Sequence, residues 1–234
     1  MTTPLWTSHD AATATGGTAA IDWSANGISI DTRSLEKGDL FIALAGPNFD
    51  GHDFVDAAFG AGAAAALVAR KEALKERPGL VSDDTLEAMK ALGAAARART
   101  DAKIAAITGS VGKTGTKEAL AHILSAQGET GYSQNSLNNH LGVPLSAARL
   151  PASAAFGVLE IGMNHAGEIT PLVGLVRPHV AVVTAIASAH REFFDSVEDI
   201  ARAKGEIFSY KRAIKQEKIV YIGLWIFWDC NRSM

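Results

Sequence analysis

The sequence predicts an α/β fold: a small mixed α/β domain over residues 1–100, followed by a parallel-sheet phosphate-loop domain over residues 101–208. Three observations predict it. Short strands and alanine-rich helices alternate through the first part. From Asp101 strand-then-helix units recur regularly, and such repeats imply a parallel sheet with helices on both faces. Within them, Ile104–Thr116 reads as an apolar strand, a glycine-bearing turn and a helix opened by Lys113 and Thr114, the shape of a phosphate-binding loop.

In the first part, Ile28–Asp31 alternates and reads as a strand. Lys37-Gly-Asp39 turns the chain into a second strand, Leu40–Leu44. Gly46–Gly51 is loop, His52–Gly60 a helix with Phe54, Ala57 and Ala58 on one face, and Ala64–Ala69 a strand. Asp83–Thr100 is a helix capped by Ser82 or Asp83. In the second part the expected order begins with strand Lys103–Thr108, helix Lys113–Gln127 stopped by Gly128, and strand Thr130–Ser133. The polar loop Asn135–Asn139 and helix Leu141–Arg149, which ends before Pro151, come next. Strand Phe156–Ile161, helix Glu168–Val176, strand Val180–Ile186 and helix Val197–Phe208 complete the series. Residues 209–234 break the composition. They are rich in aromatics, hold one alanine and the only cysteine, and continue no strand-turn-helix rhythm. Ile219, Ile222 and Ile226 fall there at helical spacing, which would suit a partner-binding helix.

Composition narrows the function classes. Hydrophobic content of 47% and charged content of 20% fit a soluble globular protein. A net charge of −3 gives no reason to expect nucleic-acid or membrane-surface binding. The lone Cys230 allows no internal disulfide. Residues 1–16 lack a basic-then-apolar export pattern, and the apolar run Ile219–Trp228 is shorter than the about 20 residues a bilayer needs. A cytoplasmic monomer without membrane insertion is expected.

Ligands of open parallel sheets bind beyond the carboxyl ends of the strands, and four features fall there. The first is the loop Gly109-Ser110-Val111-Gly112-Lys113-Thr114-Gly115. Its backbone N–H groups would cradle phosphates, Lys113 would add a point charge, and Thr114 a hydroxyl for Mg²⁺. The usual first glycine, five residues before Gly112, is Ile107, so the spacing is Gly-x-x-Gly-Lys-Thr. The second is the Asn-rich loop, where Asn138 and Asn139 are either turn residues or polar contacts to a substrate. The third is Glu160, an acid in an apolar strand, which is either an Mg²⁺ ligand or a carboxylate paired with a nearby donor. The fourth is His190, which could bind a metal, orient a phosphate or simply be solvated. Lys204 reads from sequence physics as part of a solvated helix face. In the first part, Asp31, Thr32, Arg33 and Ser34 either hold a polar ligand or form a turn.

Five segments resemble the Mur ligases in type and order: Thr108-Gly-Ser-Val-Gly-Lys-Thr114, Asn135–Pro144, Leu159-Glu-Ile-Gly-Met-Asn-His-Ala-Gly-Glu-Ile169, Thr184–His190 and Ala203-Lys-Gly-Glu206. The Gly-x-x-Gly-Lys-Thr spacing is the form that family uses. Ser29–Ser34 with Asp50-Gly-His52 is similar to the family's uridine-nucleotide domain, which implies substrate contacts from Asp31, Thr32, Arg33, Ser34, Asp50 and His52. The resemblance covers residues 1–208 and implies ATP and Mg²⁺ as cofactors. It implies UDP-N-acetylmuramoyl-tripeptide and D-alanyl-D-alanine as substrates, joined through an acyl phosphate. By the same resemblance Lys113 contacts the terminal phosphates, Thr114 and Glu160 hold one Mg²⁺, and His190 holds a second. Lys204 matches a lysine able to carry a carbamate, and Asn138 and Asn139 lie near the reacting centre. The family's later adenine contacts and closing domain have no counterpart in residues 209–234, so a C-terminally truncated, weakly active and poorly soluble ligase is expected. A catalytically inactive nucleotide-binding remnant and an unrelated phosphate-loop NTPase or kinase are the rival readings.

Overall fold

The computed structural model describes residues 3–188 and 192–210, together with the backbone of a strand at 222–223. Contacts divide the chain into two compact units, Met1–Thr100 with Ala147–Ala152, and Asp101–Ser146 with Ser153–Met234.

The first unit opens with a strand, β1 (Trp6–Thr7), and helix α1 (Ser8–Thr15). The Thr7 hydroxyl caps α1 by accepting from the Asp10 N–H, and Gly16 ends it in the left-handed conformation. β1 pairs antiparallel with β2 (Ser24–Ala25). A second sheet is wholly parallel, in the order β3 (Gly27–Ser29), β4 (Asp39–Ile42), β5 (Ala65–Val68) and β6 (Gly79–Val81). Helix α2 (Val55–Gly60) is shorter than the expected His52–Gly60, because Gly51–Phe54 forms a tighter 3₁₀ turn. Val55 and Ala58 of α2 pack on Phe41, Ala66 and Val68. Helix α3 (Thr85–Arg99) is capped neither by Ser82 nor by Asp83 but by Asp84, whose carboxylate accepts from the N–H groups of Leu86 and Glu87.

The second unit is a five-stranded sheet with every pairing parallel, in the order β11-β10-β7-β9-β8. Its elements are β7 (Lys103–Thr108), α4 (Lys113–Ser125), β8 (Thr130–Tyr132), α5 (Gly142–Ala148), β9 (Phe156–Glu160), α6 (Ile169–Val176), β10 (Val180–Val183), α7 (Val197–Gly205) and β11 (Ile222–Gly223). β7 lies at the centre, with β9 on one side and β10 on the other, so the strand order reverses around it. In open α/β sheets ligands bind beyond the carboxyl ends of the strands beside such a reversal. Leu120, Ala121 and Leu124 of α4 pack against Ile107, Val158 and Val182, which fixes the helix that follows the phosphate loop onto the sheet. Ile222, read from sequence as one of three isoleucines at helical spacing, is a strand residue. Among the described residues no helix is long and apolar enough to cross a membrane.

Candidate functional site

Register builds the site. Ile107 of β7 pairs with Glu160 of β9, so the last turn-forming residues of β7 and the acid of β9 leave the sheet side by side. The chain then turns through Gly109–Gly112 into α4. Gly112 sits at φ 87°, a conformation that favours glycine, and gives α4 no side-chain cap. The uncapped first-turn N–H groups, with the positive end of the helix dipole, face whatever anion enters. Gly109 is required for a different reason: a Cβ there would collide with the Thr184 hydroxyl. Thr184 follows β10 and holds the loop. Its hydroxyl donates to the Val111 carbonyl at 2.6 Å and its N–H to the Thr108 carbonyl at 2.9 Å. Ser110 adds an N–H bond of 2.7 Å to the Ala185 carbonyl and a hydroxyl bond of 3.1 Å to that of Ala187. Lys113 arches back over the turn, its Nζ 2.8 Å from the Gly109 carbonyl.

Glu160 is the focus of the arrangement. It is 1% exposed, and both carboxylate oxygens are taken by neutral donors. The Thr114 hydroxyl donates to Oε2 at 3.0 Å, and the Asn138 side-chain amide to Oε1 at 2.7 Å. Its own N–H donates to the Ser133 hydroxyl at 3.1 Å. Asn138 is fixed in turn. Its carbonyl accepts the Gly162 N–H at 2.7 Å, and a Cβ on Gly162 would stand 2.6 Å from Asn138 Oδ1. Asn139 has a separate duty: its Oδ1 accepts the N–H groups of Leu141 and Gly142 at 3.1 and 2.9 Å, which shapes the entry to α5. Of the two asparagines, one grips the acid and the other is a turn residue.

Lys204 overturns the solvated-face reading. It is 1% exposed, and burial pushes its ammonium down to about 8, helped by the positive charge of Lys113. The end of α7 is tied to the start of α6 by Glu206, whose carboxylate accepts the Gly167 N–H at 2.6 Å and the Thr170 N–H and hydroxyl at 3.1 and 3.0 Å. His190 lies outside the described residues.

In the first unit, Asp31–Ser34 follow β3, and Asp50 and His52 follow β4, so these residues sit beyond the carboxyl ends of adjacent parallel strands. Asp31 is engaged by Arg33, whose Nη2 is 2.6 Å away and whose N–H bonds the same carboxylate at 2.9 Å. The Ser34 N–H closes the turn on the Asp31 carbonyl. Thr32 lies within that turn. The His52 ring is buried and wedged. Nδ1 meets Asp50 Oδ1 at 2.6 Å, and Nε2 accepts the Ala69 N–H at 2.9 Å, which assigns the proton of the neutral ring to Nδ1. Arg70 also reaches Asp50, at 2.8 Å. Hydrogen bonds from the N–H and ring of His52, then that of Arg70, hold the Asp50 carboxyl down to about 2. His52 is thereby a scaffold for this loop, with both ring nitrogens occupied.

Sequence reasoning missed Thr184 and Ser133 as contributors to the site. Thr184, one residue past β10, opened a segment of the family resemblance that carried no role for it, and the only signal of Ser133 was its position one residue past β8.

Comparison with known proteins finds relatives along most of the chain. The Mur ligase middle domain profile matches residues 107–222, and the Mur ligase family catalytic domain profile matches residues 24–128. The UDP-N-acetylmuramoyl-tripeptide–D-alanyl-D-alanine ligase of Escherichia coli is 45% identical over 188 residues, covering 80% of this chain and 41% of the relative. The Rickettsia prowazekii ligase of the same name is 38% identical, covering 87% of this chain and 45% of its own length. Among solved structures, MurF from Acinetobacter baumannii superposes with a TM-score of 0.74 at 39% identity, covering 88% of this chain and 46% of that one. MurF ligase from Thermotoga maritima, solved in complex with ADP, gives 0.66 at 30% identity, covering 87% and 46%. The chain thus spans less than half the length of these relatives. Two profiles of one family overlap at the phosphate loop and run without a gap from residue 24 to residue 222, and on that basis the chain belongs to the Mur ligase family.

Proposed function

We propose that this chain carries the uridine-nucleotide and ATP-phosphate parts of a cytoplasmic, ATP-dependent ligase that joins D-alanyl-D-alanine to UDP-N-acetylmuramoyl-tripeptide. The observation that carries the reading is the Thr114–Glu160 contact beside an uncapped helix start. The names of the relatives supply the substrates.

The residues fit Mg²⁺. Glu160 is a buried carboxylate whose hydrogen-bond partners are neutral, so its charge suits a hard dication. Among the described residues no group of three or more His, Cys, Asp or Glu could enclose a metal. A cation here would take one carboxylate and the Thr114 hydroxyl from the protein, with phosphate oxygens and water completing its shell, as Mg²⁺ commonly does. Bound there, it would neutralise charge on the phosphate oxygens. The chain's own groups do the rest. Loop N–H groups and Lys113 hold the phosphates where negative charge spreads during phosphoryl transfer. The substrate carboxylate takes the terminal phosphoryl group to give an acyl phosphate. The amine of the dipeptide adds to its carbonyl and loses a proton, and phosphate departs. Lys204 supports a further part of the reading. Only a neutral amine reacts with CO₂ to form a carbamate, and a lysine titrating near 8 is about a tenth neutral at pH 7, far above an ordinary lysine.

The test is binding of a fluorescent ATP analogue to the 234-residue chain, with phosphate release measured alongside. Lys113→Ala should weaken analogue binding by at least about 10-fold, the scale of a lost charge-assisted contact. Phosphate release should require both the tripeptide and the dipeptide substrate. Release with neither, or binding indifferent to Lys113→Ala, would refute the reading.

A further inference from the structure

The phosphate-loop helix carries a second lysine that nothing above uses. Lys117 is 0% exposed, one of the largest fully buried side chains in the protein. A buried ammonium is expensive unless it is bonded, and its location therefore calls for a reason. Its Nζ donates to the main-chain carbonyl of Asn135 at 2.9 Å, with the Glu118 carboxylate 3.6 Å away. Asn135 sits at φ 51°, a left-handed conformation that a non-glycine residue holds only when its surroundings fix it. Three residues later Asn138 delivers its amide to Glu160.

Thr114 and Lys117 are three apart on α4 and so share one face of the helix. That face makes two connections to the same structure. Thr114 bonds Glu160 directly, while Lys117 bonds the turn that presents Asn138 to Glu160. The three links close a ring: helix, acid, asparagine loop, helix.

We propose that Lys117 is a positioning residue, which locks the Asn135 turn to the phosphate-loop helix and so sets the orientation of Glu160 toward a cation. This rests in part on the ligase reading, because the cation and nucleotide come from it. The link itself does not. Removing Lys117 frees the turn, Asn138 swings, and Glu160 loses one of its two side-chain donors. Outer groups that orient a metal ligand commonly matter by 10- to 100-fold in metal affinity.

The experiment uses the full chain with Lys117→Met, Lys117→Gln, Asn138→Ala and the Lys117→Met/Asn138→Ala double variant. Amide hydrogen exchange is read first, without nucleotide. Exchange across 135–142 should quicken in Lys117→Met while β7 and β9 keep their protection. The Mg²⁺ dependence of fluorescent ATP-analogue binding is read second. Metal-free affinity should stay within about twofold of the parent, and the Mg²⁺ concentration needed for half-binding should rise about 10-fold, as for an outer-shell group. Asn138→Ala should produce the same rise, and the double variant no more than either single one, since the two act along one path. Lys117→Gln, which keeps an N–H donor, should fall between. Unchanged exchange at 135–142, an equal loss with and without Mg²⁺, additive effects in the double variant, or failure of both Lys117 variants to fold each overturns the proposal. Faster exchange in a chain that binds no nucleotide would leave the positioning role standing and defeat the ligase reading instead.

Discussion

Replacing Lys204 with methionine should stabilise this protein at neutral pH. The side chain is 1% exposed, and its ammonium titrates near 8 instead of 10.5. Such a difference corresponds to about 3 kcal/mol of preference for the neutral form in the folded state. The sign follows from proton counting. Between pH 8 and 10.5 the unfolded chain holds a proton on this lysine that the folded chain has given up, so stability climbs with pH across that window. Below pH 8 both states are protonated and the folded state bears the full penalty. Lys204→Met removes the charge and keeps an unbranched apolar side chain of similar length. The variant should therefore gain roughly 2–3 kcal/mol at pH 7, and the gap should close as pH approaches that of an ordinary lysine. Urea unfolding of both proteins at pH 7, 9 and 10.5, in bicarbonate-free buffer, reads the difference with every other titrating group cancelled. A Lys204→Met protein less stable at pH 7, or two pH curves that run parallel, would refute the reasoning. A gain in stability with loss of ligation would identify Lys204 as a residue held at the expense of the fold.

Two further perturbations test the frame around the site. Asp50, held down to about 2, contributes stability above the ordinary 3.8 that disappears as pH falls toward 2. Asp50→Asn should lower Tm at pH 7 and flatten the dependence of Tm on pH between 4 and 2, followed by circular dichroism; an unchanged acid limb would show that the His52 and Arg70 contacts are energetically idle. Thr184→Val keeps the side-chain shape but leaves the Val111 carbonyl without its hydroxyl donor. It should lose about 1 kcal/mol of stability and weaken ATP-analogue binding several-fold, and parent-like binding by a folded variant would show that the loop holds its form unaided.

The sheet strands were legible because their causes are local. Ile104–Ile107 is an unbroken apolar run between Lys103 and Thr108, and the ends of the strand follow the reading. The elements that escaped are those whose stabilisation comes from elsewhere in the chain. Gly79–Val81 is a three-residue strand after Pro78, and it becomes one by pairing with Ala66–Val68. Ser8–Thr15 has no apolar stripe beyond its alanines, and its helical state rests on the Thr7 cap and on packing against α3. The cap of α3 slipped by one residue from Asp83 to Asp84, since adjacent aspartates are equal by composition and only the extended backbone of the second distinguishes them.

The site divides along the same line, with a sharper lesson. Gly109, Lys113, Thr114 and Glu160 could be placed from sequence because a strand end and a helix start dictate where they point. What the acid and the lysines touch could not be. Glu160 meets a hydroxyl 46 positions before it and an amide 22 before it, and neither pairing leaves a trace in local pattern. Lys117 and Lys204 both sit on helices where charge spacing suggests a solvated face, yet both are buried. The two burials differ in kind. Lys117 is buried with a carbonyl acceptor, as a structural ammonium must be. Lys204 has no hydrogen bond or ion pair among the described residues and faces another positive charge, so its ordinary protonated form is the one its surroundings disfavour. The burial that disfavours the ammonium favours the neutral amine, and the Lys113 charge facing it would favour an anion made from that amine. That asymmetry between two lysines of one unit, invisible to periodicity and plain in their partners, is what the two proposed roles rest on: positioning for Lys117 and a change of charge for Lys204.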